Sequence, residues 1–387
     1  MKILAIETSC DETAVSIITR DSKSYTIFTH EIFSQIDIHQ EYGGVFPALA
    51  KRAHAEHLPH LLKTSLDHAG YQSASGSLDE EDSQFITETL HREPGMAEHM
   101  IELLSAYRPK DIDAIAVTYG PGLEPALWVG INTARILSRI WNIPLVPVNH
   151  MEGHIASSEI HTLEEGMPHS ESEIAYPALA LLISGGHTEL VSMKSKGDFE
   201  LIGQTRDDAI GEAFDKVARM LGLPYPGGPE IEKIANDAPQ SDETYITLPR
   251  PMMASDTCDM SFSGLKTAVR YFVNEHQDMN DKYKSLIARE FQQAISDVLV
   301  SKLRRALSRD NYQSLIIAGG VSANKTITQS IANFMYDEFA DCTVRIPLRS
   351  LATDNALMIA YAAYDVYMRG EVRDPGAEIS ADGNLMW

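Results

Sequence analysis

A strand, a small-residue or polar turn and a second strand occur twice in this chain, about half its length apart, and that duplication constrains the fold more than any other feature. Residues 2–6 and 13–19 are β-favouring runs on either side of the turn Glu7-Thr8-Ser9-Cys10-Asp11-Glu12. Residues 178–183 and 188–193 flank Ser184-Gly185-Gly186-His187 in the same way. Two such units predict two related lobes. Around them helical and strand patterns alternate: helices over 45–69, 96–107 and 126–141, a strand over 112–118, and a Gly/Pro loop over 120–125 between the last two. An amphipathic helix over 207–222, a long helix over 282–307, a buried strand over 314–318 and a helix over 353–368 follow, the last with Thr353 or Asp354 as its N-cap. Alternation of this kind predicts the α/β class.

Charge narrows the possible partners. The 387 residues hold 32 Lys plus Arg against 55 Asp plus Glu, a formal net charge of −23, and a field of that sign repels phosphate backbones. This argues against a broad basic face for nucleic acid, so any RNA is expected to be met by a local patch or by a partner's charge. The three cysteines, Cys10, Cys258 and Cys342, lack metal or disulfide spacing. The first apolar run meets Glu7 at once and no run approaches the ~20 residues of a membrane span, so a cytoplasmic protein with no membrane partner is expected. Residues 72–95, with Asp79-Glu80-Glu81-Asp82, read as a solvated surface insertion, and residues 371–387 as a polar tail.

Several residues could carry chemistry. His150 and His154 stand four apart, which on a helix leaves them about 40° apart and able to share one metal, although such a pair is also common in packing. Glu152 lies roughly 200° around that helix from the first histidine, unlike the adjacent glutamate of a zinc peptidase. Asp354 could supply a third ligand or simply cap its helix. The turn Ser184-Gly185-Gly186 and the pair Gly227-Gly228 can bring backbone N–H groups close to an anion. Gly319-Gly320-Val321-Ser322-Ala323-Asn324 leaves a buried strand for a helix, which suits a nucleotide or an ordinary turn. Asp207, Asp208, Glu212 and Asp215 read as an acidic helix, with the last three on one face, either solvated or turned to ribose hydroxyls or a metal.

Taken together the motifs resemble one family, the tRNA adenosine threonylcarbamoyltransferases of the TsaD type, once labelled O-sialoglycoprotein endopeptidases. The stretches that carry the resemblance are IETSCDETAVSI from Ile6, EYGGVFPALAKRAH from Glu41, YGPGL from Tyr119, NHMEGH from Asn149, LISGGHTEL from Leu182, DDAIGEAFDKVARMLGLPYPGGP from Asp207, SFSGLKT from Ser261, AGGVSAN from Ala318 and TDNALMIAYA from Thr353, in family order. The resemblance implies the actin-like ATPase (ASKHA, ribonuclease H-like) fold, two lobes with a central cleft. The first lobe would be residues 1–150 with the 72–95 insertion, completed by a C-terminal helix over 353–370, and the second residues 151–352. It further implies one divalent ion, Fe2+ or Zn2+, held by His150, His154 and Asp354. Leu182, Ile183, Ser184, Gly185, Gly186, Asp215, Gly228, Glu232 and Asn324 would bind the adenylate part of threonylcarbamoyl-AMP, with Glu232 standing where the family often has Asp. Asp11 and Glu12 are the candidates for orienting the tRNA amine or taking its proton, and protein partners of the TsaB and TsaE type are implied beside tRNA. Glu124-Pro125 and Trp128 depart from the family loop and would alter it. The alternatives are an ATPase or small-molecule kinase of the same fold, and a metallopeptidase, which the place of Glu152 disfavours.

Overall fold

The computed structural model describes residues 1–72, 76–170, 172–239, 246–276 and 279–387. The chain forms two compact units: Met1–Asp37, Val45–Glu173 and Asp354–Met386 make the first, and Ile38–Gly44, Ile174–Thr353 and Trp387 the second.

The first unit contains β1 (Lys2–Glu7), β2 (Glu12–Arg20), β3 (Ser24–Ser34), α1 (Ile36–Gln40, which crosses the boundary), α2 (Pro47–His68), α3 (Glu80–Thr89), α4 (Met96–Ala106), β4 (Ala114–Gly120), α5 (Glu124–Trp141), β5 (Leu145–Asn149), α6 (His150–Ala156) and β6 (Pro168–Ser170). Its sheet runs β5-β4-β1-β2-β3-β6, parallel across the first three strands and antiparallel from there on. Leu4 and Ile6 of β1 and Val15 and Ile17 of β2 join Leu58 and Leu62 of α2 and Leu127 of α5 in one buried cluster. The alternation of a strand sends Ile3 and Ala5 to the opposite face.

The second unit contains β7 (Ala178–Ile183), β8 (Thr188–Met193), β9 (Phe199–Gln204), α7 (Ile210–Met220), α8 (Gly227–Asn236), α9 (Ser263–Glu275), α10 (Asp281–Leu307), β10 (Ser314–Ala318), α11 (Lys325–Glu338) and β11 (Thr343–Arg345). Its sheet, β11-β10-β7-β8-β9, repeats the first: two parallel neighbours, then two antiparallel ones. Its core gathers Leu179, Leu181 and Ile183 with Phe214, Val217, Phe291, Ile295 and Leu299. The chain then returns to the first unit as α12 (Ala356–Met368), which packs on β1, β2, β4, β5 and α6. Arg20 donates to Asp365 of that helix at 2.8 Å and lies over the Tyr361 ring.

Four expectations change. The acidic run of the insertion is a helix start: Asp79 accepts from the Asp82 amide at 2.8 Å, and Glu80, Glu81 and Asp82 fill the first turn of α3, where the helix dipole favours negative charge. That helix is packed rather than merely solvated, with Ile86 and Leu90 buried and Glu93 ion-paired to Lys51 at 3.0 Å, while residues 73–75 of the insertion lie outside the described residues. Asp207 and Asp208 precede α7 instead of sharing its face, because Asp207 accepts from Ser261, Ser263 and the Phe262 amide, and Asp208 pairs with Lys216 and Lys266. Asn355, not Thr353 or Asp354, caps α12, its Oδ1 accepting from Met358 N at 2.9 Å. The expected tail is packed on the first unit: Arg373 exchanges backbone hydrogen bonds with Leu145, Asp382 N donates to Tyr119 O at 2.9 Å, and Ile379 is buried. Glu124 and Pro125 form the first turn of α5, where proline needs no partner for a missing N–H, and Trp128 packs against the core cluster.

Candidate functional site

In the first unit β5 delivers the chain directly into α6. Asn149 ends the strand and caps the helix, accepting from Met151 N at 2.8 Å, so His150 opens α6 and His154 follows one turn later. Gly153 lets this helix approach α12, since a Cβ there would stand 2.8 Å from Ile359 Cδ1. Because Asn355 performs the capping of α12, the Asp354 carboxylate is left to face the two imidazoles. Its Oδ1 lies 3.3 Å from Nε2 of His150 and 3.3 Å from Nε2 of His154. One donor atom from each of the three residues lies within 4.8 Å of the others, the only such group of three among the described residues.

The cluster couples two buried imidazoles to the carboxylates of Asp354 and Glu7. Burial opposes charge on His150, but Asp354 and Glu7 outweigh it and hold its pKa well above the ordinary imidazole value. Burial, then the neighbouring His150 charge, press His154 the other way, despite its contact with Asp354. Asp354 is held far below the usual carboxylate range by the two imidazoles although burial works against it. Nδ1 of the fully buried His154 has no hydrogen-bond partner, and its Nε2 has only the Asp354 carboxylate, 3.3 Å away and outside good hydrogen-bond geometry. An unsatisfied buried donor or acceptor is costly, and a metal ligated at Nε2 would remove that cost at this one nitrogen. With metal–ligand bonds of about 2.0–2.1 Å, ligand atoms of a tetrahedral site stand roughly 3.3 Å apart, so the side chains present fit an ion with nitrogen and oxygen ligands. Three protein donors are one fewer than a closed structural zinc site takes.

The turn after β1 lies against this cluster, with Ser9 Oγ 3.2 Å from Nδ1 of His150. Asp11 and Glu12 are buried, and burial, then the charges of Asp11, Asp354 and Glu7, push the Glu12 carboxyl well above its usual value. The turn is pinned by His54, a residue sequence reasoning passed over. Its Nε2 lies 3.0 Å from Cys10 O, so that nitrogen donates and Nδ1 accepts from the Thr13 hydroxyl at 2.7 Å. Glu7 was passed over too, although a glutamate closing an otherwise apolar buried strand was a legible signal. Glu152 points away from the cluster, as the helical spacing predicts, and makes a two-pronged ion pair with Arg369 at 2.7 and 3.0 Å.

In the second unit the remaining candidates gather beyond the carboxyl ends of the parallel strands β7 and β10, where ligands of open α/β sheets bind. Leu182 and Ile183 are wholly buried, so they offer only backbone to a ligand. Ser184 closes the turn, accepting from His187 N at 3.1 Å, and Gly211 at the start of α7 packs on its carbonyl. Gly319, at φ +91°, lies against the Ile183 carbonyl. Asp215 accepts from Gly227 N at 2.7 Å and Glu232 from Lys325 N at 2.8 Å. Asn324 caps α11 through Ile327 N at 3.0 Å and donates to Gln292 at 2.7 Å. These three side chains therefore tie the loops to one another. By contrast, Gly185, Gly186, Gly228 and Gly320 have ordinary φ, and a Cβ at any of them would meet no atom within 4 Å. The fold does not require glycine there, whereas close approach of a ligand to the backbone would.

The family model described as "TsaD: tRNA N6-adenosine threonylcarbamoyltransferase" matches residues 26–75 and 95–361, so its gap falls on the insertion that carries α3. A Staphylococcus aureus (strain Newman) protein named tRNA N6-adenosine threonylcarbamoyltransferase is 40% identical over 373 residues, 96% of this chain and 93% of that one. A protein of the same name from Streptococcus equi subsp. equi is 38% identical over 387 residues, 99% of this chain and 96% of its own. Among solved structures, full-length HypF in its phosphate- and nucleotide-bound form superposes with a TM-score of 0.50 at 12% identity, covering 95% of this chain and 46% of that one, a likeness of actin-like fold alone.

Proposed function

Since the chain belongs to the TsaD family of tRNA N6-adenosine threonylcarbamoyltransferases and is thus an acyltransferase of actin-like fold, we propose how its own residues divide the work. The reaction joins a threonylcarbamoyl group to N6 of a tRNA adenosine, which we take to be the one beside the anticodon in tRNAs reading ANN codons, with threonylcarbamoyl-AMP as donor. N6 attacks the carbamoyl carbon of the mixed anhydride, a C–N bond forms, the C–O bond to phosphate breaks, and AMP leaves as the N6 proton passes to a base.

His150, His154 and Asp354 hold one divalent ion, Fe2+ or Zn2+, and the convergence of their three donor atoms within 4.8 Å, with both histidines buried, is the observation that carries this reading. When bound, the ion supplies Lewis acidity toward the donor carbonyl or the leaving phosphate. Glu12, with Asp11 beside it on the turn after β1, takes the N6 proton and orients the amine. The Ser184-Gly185-Gly186 turn gives backbone N–H groups to the adenylate phosphate, and the open glycines Gly228 and Gly320 leave room for the nucleoside. Asp215, Glu232 and Asn324 hold those loops in place, and Leu182 and Ile183 set the strand end from which the turn departs. No described helix is long and apolar enough to cross a membrane, and we place the protein in the cytoplasm with partners of the TsaB and TsaE type.

The test is nucleoside mass spectrometry after incubating the chain and those partners with tRNA and threonylcarbamoyl-AMP. Wild-type protein should add the threonylcarbamoyl mass to adenosine, and His150→Ala combined with His154→Ala should abolish the gain. Full activity in that double variant would remove the metal from the reaction.

A further inference from the structure

Glu7 ends β1 with no exposure at all, and no lysine or arginine pairs with it among the described residues. A bare carboxylate in such a place is expensive unless donors surround it. Three do. The Ser9 amide donates to Oε1, the Thr118 hydroxyl donates to Oε2 at 2.6 Å, and Nδ1 of His150 lies 3.1 Å from the same Oε2. Each donor comes from a different place: the turn after β1, the strand β4 just before its register shift, and the first residue of α6.

We propose that Glu7 is the positioning carboxylate of the metal centre, fixing His150 in the tautomer whose Nε2 faces His154 and Asp354 and tying that ring to the turn that bears Asp11 and Glu12. The inference rests on the reading that His150, His154 and Asp354 hold a cation. A carboxylate has only acceptors, so the Nδ1 of His150 must carry the hydrogen between them. In the neutral ring the lone pair is then on Nε2, the nitrogen 3.3 Å from Asp354 Oδ1. Ser9 Oγ lies 3.2 Å from the same Nδ1 and could serve either tautomer, since a hydroxyl both donates and accepts; Glu7 is the group that decides. Metal-bound histidines commonly give their second N–H to a carboxylate, which fixes the ring and raises its basicity. Here the same carboxylate also receives the Ser9 amide, so the orientation of the ring and the path of residues 8–12 are set by one group. The convergence of β1, β4 and α6 on Glu7 gives that strand-end glutamate a reason that packing alone does not.

The experiment is Zn2+ affinity by chelator competition for the full chain, with wild type, Glu7→Gln, Glu7→Asp and His154→Ala. Loss of an outer carboxylate of this kind lowers metal affinity by about 10–100-fold, and both Glu7 variants should do so while melting as folded proteins, the amide by losing the charge and the aspartate by withdrawing it from the ring. Affinities within about threefold of wild type in both folded variants, with only the melting temperature lowered, would overturn the role and leave Glu7 a purely structural residue. Should both variants fail to fold, nitrogen NMR of the zinc-loaded wild type decides. A hydrogen-bonded Nδ1–H on His150 supports the assignment, and an unprotonated Nδ1 overturns it. Zinc held by His154→Ala as tightly as by wild type would instead overturn the centre itself, and with it the role of Glu7, so the two failures are told apart.

Discussion

Within the five residues from His150 to His154, side chains of opposite purpose share one short helix. His150 and His154 face Asp354, while Glu152 grips Arg369 near the end of α12 and Gly153 allows that helix to come close. The spacing of the two histidines and the outward angle of Glu152 were legible from helical geometry alone. What that glutamate grips was not, because Arg369 is remote in sequence. Glu152→Gln should therefore lower stability by about 1.5–3 kcal/mol, the range for hydrogen bonds to charged groups, while leaving Zn2+ affinity unchanged. Urea unfolding beside zinc titration checks this, and a loss of zinc binding would show that the pair supports the metal ligands after all.

At the scale of elements, the two strand-turn-strand units were readable because short β-favouring apolar runs and the turn residues that bound them are local signals, and β1, β2, β7 and β8 lie within a residue or so of their expected bounds. Where composition stood in for periodicity the reading went astray. Asp79-Glu80-Glu81-Asp82 looked solvated, yet acids gather at helix starts for electrostatic reasons, and the buried Ile86 one turn later shows which side of α3 is packed. Asp207 and Asp208 looked helical because the amphipathic pattern runs on past the helix, but their carboxylates are committed to α9 and to two lysines. Those commitments carry a pH signature. Burial opposes the Asp207 charge, but hydrogen bonds from Ser261, Ser263 and the Phe262 amide lower its pKa, and Lys266 and Lys216 likewise lower that of Asp208. A folded-state value below the unfolded one gives stability that is complete above the ordinary carboxylate range and is lost as pH falls through the folded values. Melting temperature between pH 6 and about 2.5 should thus fall more steeply for wild type than for the Asp207→Asn, Asp208→Asn double variant, and parallel curves would refute the contribution.

For the whole molecule, the formal charge of −23 and a tRNA substrate pull in opposite directions. The isolated chain should bind tRNA weakly, with affinity that falls further between 50 and 200 mM salt by a factor set by the few phosphates contacted, each contributing a slope of about −0.9 at most in log K against log salt. Filter binding across that range is the measurement, and tight, salt-insensitive binding by the chain alone would contradict it. The paired sheets follow from the sequence duplication, whereas the return of the chain from one unit to the other does not, since nothing local in residues 356–368 announces which sheet they cover. That return has a consequence for biosynthesis. His150 and His154 leave the ribosome before any of residues 174–353, and Asp354 only after all of them. The first unit must wait, its sheet uncovered by α12 and its two histidines without Asp354, until residues 174–353 have been translated. A stalled or truncated chain would carry His150, His154 and Glu7 without Asp354, so on the proposed reading its Zn2+ affinity should fall below that of the full chain.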